Sequence, residues 1–281
     1  MTLQEMLGQV RVRIDEPAEG SQPFWYNAEL IQRLHDAQGY IYRKMVRAKD
    51  NLFLESTDIS LTASQSTYNL PLNARLGSSW ALIENRITSS NPPLYVFDIR
   101  FQDHLMMEGP IGVSDPSDAN FFAVREHDQL RITPTPGASH TDGVRFWYNP
   151  MYGNMHQGTV AASSGATTSI LFPETPTFNR GATSIGKIDK RDDYYNGMDV
   201  EIVSDSTTPA AEGQVARITD YTYDSDNTRG TATVTGLSTV ASATAIYAVR
   251  CPIPEDFHNV VVLRAAWAAA GKRPRLRPSI E

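Results

Sequence analysis

The spacing of apolar residues predicts helices near both ends of the chain. In the first segment, the apolar residues at helical spacing are Leu3, Met6, Leu7, Val10 and Ile14. Thr2 and Glu5 form a capping-box pattern, in which the hydroxyl and the carboxylate satisfy free amides of the first helical turn. We therefore predict that a helix begins at Thr2 and that residues 17–20, which include a proline and a glycine, end it.

A second and longer helix is predicted after Asn27, whose side chain can cap it. Its apolar stripe consists of Leu30, Ile31, Leu34, Ala37, Ile41, Met45 and Ala48. Near the other end of the chain, Pro252 and Pro254 suit the start of a helix, and Gly271 suits its end. One face of this last helix carries Val260, Leu263, Trp267 and Ala270.

Between these helices, the pattern changes to short runs in which apolar and polar residues alternate. Residues 129–133 and 144–148 are predicted strands, joined by a loop that contains two prolines and a glycine. From about residue 157 to 249, the composition shifts toward Thr, Ser, Ala, Gly and Asp, with short alternating runs between turns. The predicted fold class is α+β, with a helical scaffold, a β-rich middle and an inserted small β-barrel or sandwich.

These patterns divide the chain into three parts. We predict a core of helices and a β-hairpin region from residues 1–156 and 251–271, an inserted β domain at 157–250, and an extended tail at 272–281. The tail is basic, is interrupted by prolines and has no periodic face. It can bind DNA phosphates, it can dock on an acidic protein surface, or it can be a solubilising end without a partner.

Composition and charge narrow the classes of function. Of the 281 residues, 41% are hydrophobic and 20% are charged, which is typical of a globular protein. The formal net charge of -7 argues against a general nucleic-acid binder, which would carry a large basic patch. No leader peptide and no apolar run of about 20 residues is visible, so we expect folding in a cytoplasm and no membrane partner. The single cysteine, Cys251, excludes an internal disulfide and a cysteine-based zinc site.

Two loops partly match ligand-binding motifs. Residues 181–188 follow the phosphate-binding loop pattern until Ile188, which replaces the hydroxyl residue that binds Mg²⁺. Residues 224–230 alternate oxygen-bearing side chains like a calcium loop, but Gly230 is one place late and Thr235 replaces the bidentate glutamate. The six histidines lack the spacing of metal ligands. We therefore predict no catalytic, cofactor-binding or metal-binding residues, and no cofactor.

Short motifs along most of the chain are shared with a known family. They lie at residues 2–7, 25–30, 68–71, 130–136 with 146–148, and 254–258. Together they resemble the head-to-tail adaptor family of tailed bacteriophages. The segments at residues 192–198 and 216–221 are similar to a β module that recurs in phage structural proteins.

The resemblance implies a structural protein of the virion neck, assembled in the host cytoplasm. Such adaptors are implied to form a ring, usually of twelve copies, that attaches to the portal, extends the DNA channel and holds the tail or nozzle protein. We expect a monomer before assembly, and contact with the ejected viral DNA without sequence specificity. The residues expected to pack the ring helices are Leu30, Leu34, Ile41, Met45, Val260, Leu263 and Trp267. The residues expected to dock on the portal are Lys272, Arg273, Arg275, Leu276 and Arg277.

Two other classes of function compete with the adaptor. The β module could recognise a carbohydrate or another surface ligand, with an aromatic platform made of Tyr194, Tyr195, Tyr221 and Tyr223. Tyrosines in alternating strands more often pack the core of such a module. A cell-wall hydrolase is the weakest alternative, because no nucleophile motif and no pair of catalytic carboxylates is identifiable.

Overall fold

The first helix, α1, forms in the computed structural model where its capping box predicts it, over Leu3–Arg13. The hydroxyl of Thr2 accepts a hydrogen bond from the backbone amide of Glu5 at 3.3 Å. The carboxylate of Glu5 accepts one from the amide of Thr2 at 2.8 Å. These two bonds satisfy amides that have no partner within the helix, and so they fix its first turn.

The structure describes residues 1–15, 25–49, 52–71, 73–74, 82–86, 94–96, 122–126, 129–133, 135–178, 183–184 and 187–271. The chain divides into two compact units. The first unit comprises residues 1–45 and 152–281, and the second comprises residues 46–151.

Two more helices belong to the first unit. Helix α2 spans Asn27–Ala48, and α3 spans His258–Ala270 after a short 3-10 helix at Glu255–Phe257. Helix α1 packs against α3. The N-terminal amine of Met1 lies 3.3 Å from a carboxylate oxygen of Glu255 and 3.2 Å from Nδ1 of His258, so the start of α1 is tied to the start of α3.

A six-stranded antiparallel sheet forms the body of the first unit. Its strands, in sheet order, are β8 (His156–Thr159), β15 (Ile246–Val249), β12 (Asp199–Ser204), β13 (Val215–Asp224), β14 (Arg229–Thr235) and β9 (Ser169–Pro173). The outer strands β8 and β9 also lie near each other, so the sheet is a nearly closed barrel. A two-stranded ribbon of β10 (Thr177–Phe178) and β11 (Thr183–Ser184) and a 3-10 helix at Pro209–Ala211 complete the unit.

Aromatic rings fill the barrel. Phe172 stacks on Tyr247 with ring centroids 4.6 Å apart, and Tyr195 meets the edge of Tyr221 at 4.7 Å. The hydroxyl of Tyr221 donates to the carbonyl of Asp189 at 2.7 Å, which fixes the position of that ring. Such pairs contribute directional packing in addition to the burial of apolar area.

Two antiparallel sheets make up the described part of the second unit. One contains β1 (Glu55–Leu61), β7 (His140–Tyr148), β3 (Leu82–Asn85) and β4 (Leu94–Val96) in that order. The other contains β2 (Thr67–Asn69), β6 (Gln129–Thr133) and β5 (Phe122–Glu126). Their inner faces share one core, in which Leu130 and Ile132 of β6 pack with Val144, Phe146 and Tyr148 of β7.

The two strands predicted around residues 134–140 both form, but they do not pair with each other. β6 forms its hairpin with β5, and β7 pairs with β1 and β3. Both strands bury alternating apolar side chains in the same core, but they do so from two different sheets. The predicted α+β class agrees with this mixture of helices and sheets.

The inserted β domain was predicted at residues 157–250, and the barrel strands run from β8 to β15 within almost the same limits. The division into compact units nevertheless groups the barrel with the helices of residues 1–45. The three-part division of the chain therefore stays a prediction.

Gly230 gives a test of the barrel packing. A Cβ atom at this position would lie 2.5 Å from the ring and the hydroxyl oxygen of Tyr221. Because Tyr221 is fully buried and hydrogen-bonded, we expect Gly230→Ala to lower the free energy of unfolding by about 1–3 kcal/mol. Urea unfolding followed by circular dichroism measures this change.

Gly39 provides the matched control, because a Cβ atom there would meet nothing within 4 Å. Gly39→Ala should stabilise α2 slightly, by about 0.5–1 kcal/mol. Equal effects of the two substitutions would contradict the packing described for Tyr221.

Candidate assembly surface

Helix α3 has a small, buried face and a bulky, exposed face. The buried face consists of Val261, Val262, Ala265, Ala266 and Ala269. On the other side, Val260 is 41% exposed, Leu263 is 51% exposed and Trp267 is 68% exposed. Phe257, in the preceding turn, is 43% exposed. We call these four residues the α3 stripe. Large apolar side chains exposed side by side are typical of a surface that binds another protein.

A cation stacks between two aromatic rings beside this stripe. The guanidinium of Arg264 lies 4.4 Å from the ring centroid of Tyr40 in α2 and 4.9 Å from that of Trp267. A second cation, the ammonium of Lys44, lies 5.6 Å from the ring centroid of Tyr40. Each cation is attracted by the electron-rich face of the ring. The stack therefore holds the exposed indole of Trp267 in place.

The outer side of α1 forms a shallow depression of about 620 Å³. It is lined by Glu5, Gly8, Gln9, Val12, Arg13 and Asn259. Val12 is 81% exposed, and a Cβ atom on Gly8 would meet nothing within 4 Å. Gly8 thus leaves an open notch in the outer face of the helix, beside an exposed apolar side chain. We call this surface the α1 groove.

The residues expected to pack ring helices fall into two groups. Leu30 and Leu34 have no exposed surface, and Ile41 and Met45 are half-buried. Val260, Leu263 and Trp267 are exposed together on α3. The residues expected to dock on the portal, Lys272, Arg273, Arg275, Leu276 and Arg277, lie outside the described residues.

Sequence reasoning missed Tyr40, Arg264, Gly8 and Val12. The spacing of three between Arg264 and Trp267 was a readable signal, because such residues are neighbours on a helix. The contribution of Tyr40 could not be read, because it comes from a helix more than 200 residues away in the chain.

A partly buried histidine, His35, and a buried one, His156, lie where α2 meets the barrel. His35 Nε2 donates a hydrogen bond to the carbonyl of Met155 at 2.8 Å, and burial lowers the pKa of this histidine. His156 Nδ1 lies 3.1 Å from the hydroxyl of Tyr247. Burial, followed by repulsion from His35, lowers the pKa of His156 to about 3. Both rings are therefore neutral at pH 7 and help to pack α2 on the barrel.

The two motif-like loops have structural roles. Lys187, from the segment that resembles a phosphate-binding loop, pairs with Glu174 at 2.8 Å. In the calcium-like loop, Asp224 Oδ1 accepts hydrogen bonds from the backbone amides of Asp226 at 3.0 Å and Asn227 at 3.1 Å. Its carboxylate thus closes a turn. Within the described ranges, no group of three or more His, Cys, Asp or Glu side chains could hold a metal ion.

The four tyrosines proposed as a ligand platform do not share one exposed face. Tyr195 and Tyr221 are buried in the barrel core, and Tyr194 and Tyr223 are partly buried against it. The guanidinium of Arg191 lies 4.6 Å from the ring centroid of Tyr194. This arrangement supports the packing interpretation over carbohydrate recognition.

Cys251 is buried, and burial raises the pKa of its thiol to about 12. A thiol with this pKa stays protonated at neutral pH and is a poor nucleophile. This side chain acts as a small apolar residue at the end of the barrel.

Comparison with protein families identifies a relationship for the N-terminal part of the chain. The model of the family described as SU10 adaptor protein matches residues 1–175. This region contains α1, α2, the second unit and the first two barrel strands. No curated protein matches the chain. Among the helices that the structure describes, none has the length and apolar character needed to span a membrane.

His156 predicts a pH dependence of stability. Below pH 6.5 the unfolded chain protonates this histidine, whereas the folded state does not until about pH 3. The free energy of unfolding therefore falls as the pH falls between these values, by up to about 1.4 kcal/mol per pH unit from this group. We expect His156→Asn, which keeps an acceptor for Tyr247, to flatten this dependence. Urea unfolding at several pH values from 4 to 7 measures it.

The control is Gly39→Ala in α2, which changes no titratable group. It should leave the difference between pH 7 and pH 4 equal to that of the unmodified protein. An unchanged pH dependence in the His156 variant would show that this ring titrates normally in the folded state.

Proposed function

This chain belongs to the SU10 adaptor family of tailed-bacteriophage head-to-tail adaptors, and we propose that it forms a ring that attaches to the portal and extends the DNA channel. The coarser role, a structural adaptor of the virion, follows from the family. The observation that carries the proposal is the match over residues 1–175, because it includes both N-terminal helices and the second unit.

The exposed α3 stripe supports the ring. A monomeric subunit gains nothing from leaving Leu263 and Trp267 in water, whereas contact with another copy would bury them. We propose a ring of twelve copies. The subunits are monomers until they meet the portal, so this surface becomes buried during assembly.

The charge of the subunit supports a DNA channel. Each copy has a formal net charge of -7, so a ring of such subunits repels the DNA polyanion. Weak, unspecific contact suits a channel through which DNA must pass, since tight phosphate binding would slow ejection. The channel opens below onto the tail or nozzle protein.

Attachment to the portal is assigned to the basic tail. Lys272, Arg273, Arg275 and Arg277 supply four positive charges, and Leu276 supplies an apolar contact. The prolines favour an extended conformation, so the segment loses little conformational freedom when it docks on an acidic surface. No catalytic role is assigned to the chain.

Deletion of residues 272–281 tests the attachment. The shortened protein should keep its circular dichroism spectrum, because the truncation begins beyond α3, and it should no longer co-sediment with purified portal particles. Electron microscopy of the full-length mixture should show twelve subunits beneath each portal.

Substitutions in the full-length protein distinguish the effect of the positive charges on portal binding from the effect of shortening the chain. Replacing Arg273, Arg275 and Arg277 by Lys should preserve most binding, and replacing them by Gln should abolish it. Full co-sedimentation of the shortened protein would exclude portal docking through the tail.

A further inference from the structure

We propose that the α3 stripe of one copy packs antiparallel on the α1 groove of the next copy. This inference rests on the proposed ring and names the two surfaces that would meet in it. The partner is a second copy of this chain, because the charged residues of the groove and those beside the stripe are complementary in an antiparallel register.

An antiparallel register forms one apolar pair in the groove. When Val12 lies opposite Phe257, Gln9 lies opposite Val260, and the notch at Gly8 is open to the side chains of the stripe. A glycine on the outer face of a helix lets another helix approach closely. Outside such a contact, Gly8 would only weaken α1, since glycine disfavours the helical state.

The charges match in the same register. Glu5 and Arg13 of the groove are eight residues apart, which is about 12 Å along a helix. Asp256 and Arg264, beside the stripe, have the same separation, and their charges run in the opposite order. The antiparallel arrangement therefore brings Glu5 opposite Arg264 and Arg13 opposite Asp256. The parallel arrangement would place like charges together.

The composition of the stripe suits the centre of an interface. Trp, Tyr and Arg contribute most to binding at protein interfaces, and here Trp267, Tyr40 and Arg264 are already stacked on one another. Because the stack holds the indole before contact, binding would cost less side-chain freedom.

Stripe and groove are different surfaces, and every copy carries one of each. A contact between unlike surfaces leaves a free stripe at one end of a pair and a free groove at the other. Further copies can add until the chain of subunits closes. This is the geometry that a ring requires.

Charge reversal tests the register. Arg13→Glu alone and Asp256→Arg alone should each reduce ring formation on portal particles by about tenfold, because each places two like charges opposite one another. The double variant restores opposite charges and should recover ring formation. Electron microscopy and sedimentation measure the fraction of portals that carry rings.

Arg43→Glu is the matched control, since Arg43 is an exposed basic residue of α2 outside both surfaces. It should form rings normally. If the unmodified protein forms rings and the double variant fails to recover, the proposed contact is wrong while the ring remains. If the unmodified protein forms no rings on portals, the proposed function itself is wrong.

A mixing experiment tests the pairing of unlike surfaces without relying on charge. Gly8→Leu fills the notch and leaves the stripe intact, whereas Trp267→Asp disrupts the stripe and leaves the groove intact. Each variant alone should form no ring. Together on portal particles they should form pairs, detectable by chemical cross-linking, because only one of the two surfaces remains on each copy.

Gly39→Leu is the control for the notch, because Gly39 also has free space around it but lies on α2. It should assemble like the unmodified protein. Complete rings formed by Gly8→Leu alone would overturn the proposal, as would the absence of cross-linked pairs in the mixture.

Discussion

The packing of α3 through its small side chains determines which apolar residues of this helix are exposed in the first unit. Alanine at positions 265, 266 and 269 lets the helix lie close to its neighbours, and it leaves no room on that side for an indole or a leucine. The bulky residues of α3 are therefore placed on the opposite face, where the guanidinium of Arg264 stacks between Trp267 and Tyr40. The α3 stripe is exposed because alanine and valine side chains occupy the buried face of the helix.

The predictions from sequence were strongest where the causes are local. The capping box placed the start of α1, and the run of alternating residues at 129–133 became β6. Periodicity also found the faces of α2 and α3, but it could not tell which face would be buried. Leu34 and Trp267 both belong to an apolar stripe, yet one is fully buried and the other is the most exposed residue of its face. The difference depends on neighbours that are distant in sequence.

The dependence on residues distant in sequence also explains why the burial of the tyrosines and the pairing of β6 and β7 could not be predicted. For Tyr195, in the turn before β12, and Tyr221, in β13, the sequence favoured packing but left a ligand platform open, because alternation does not show which side of a strand faces the barrel interior. The sequence did not show that β7 pairs with β1 and β3 and not with β6, because those partners lie far away in the chain. Family membership, by contrast, could be anticipated from short motifs, and the family model matches residues 1–175, where most of these motifs lie.

The chain enters and leaves the barrel at neighbouring positions. Its first strand, β8, and its last, β15, are hydrogen-bonded neighbours, and His156 lies directly opposite Val249. The backbone therefore leaves the barrel at Val249, directly beside His156, where it enters the barrel. The segments before β8 and after β15 are therefore held within one strand spacing of each other, and a change in the length of the loops between the barrel strands would not move them apart.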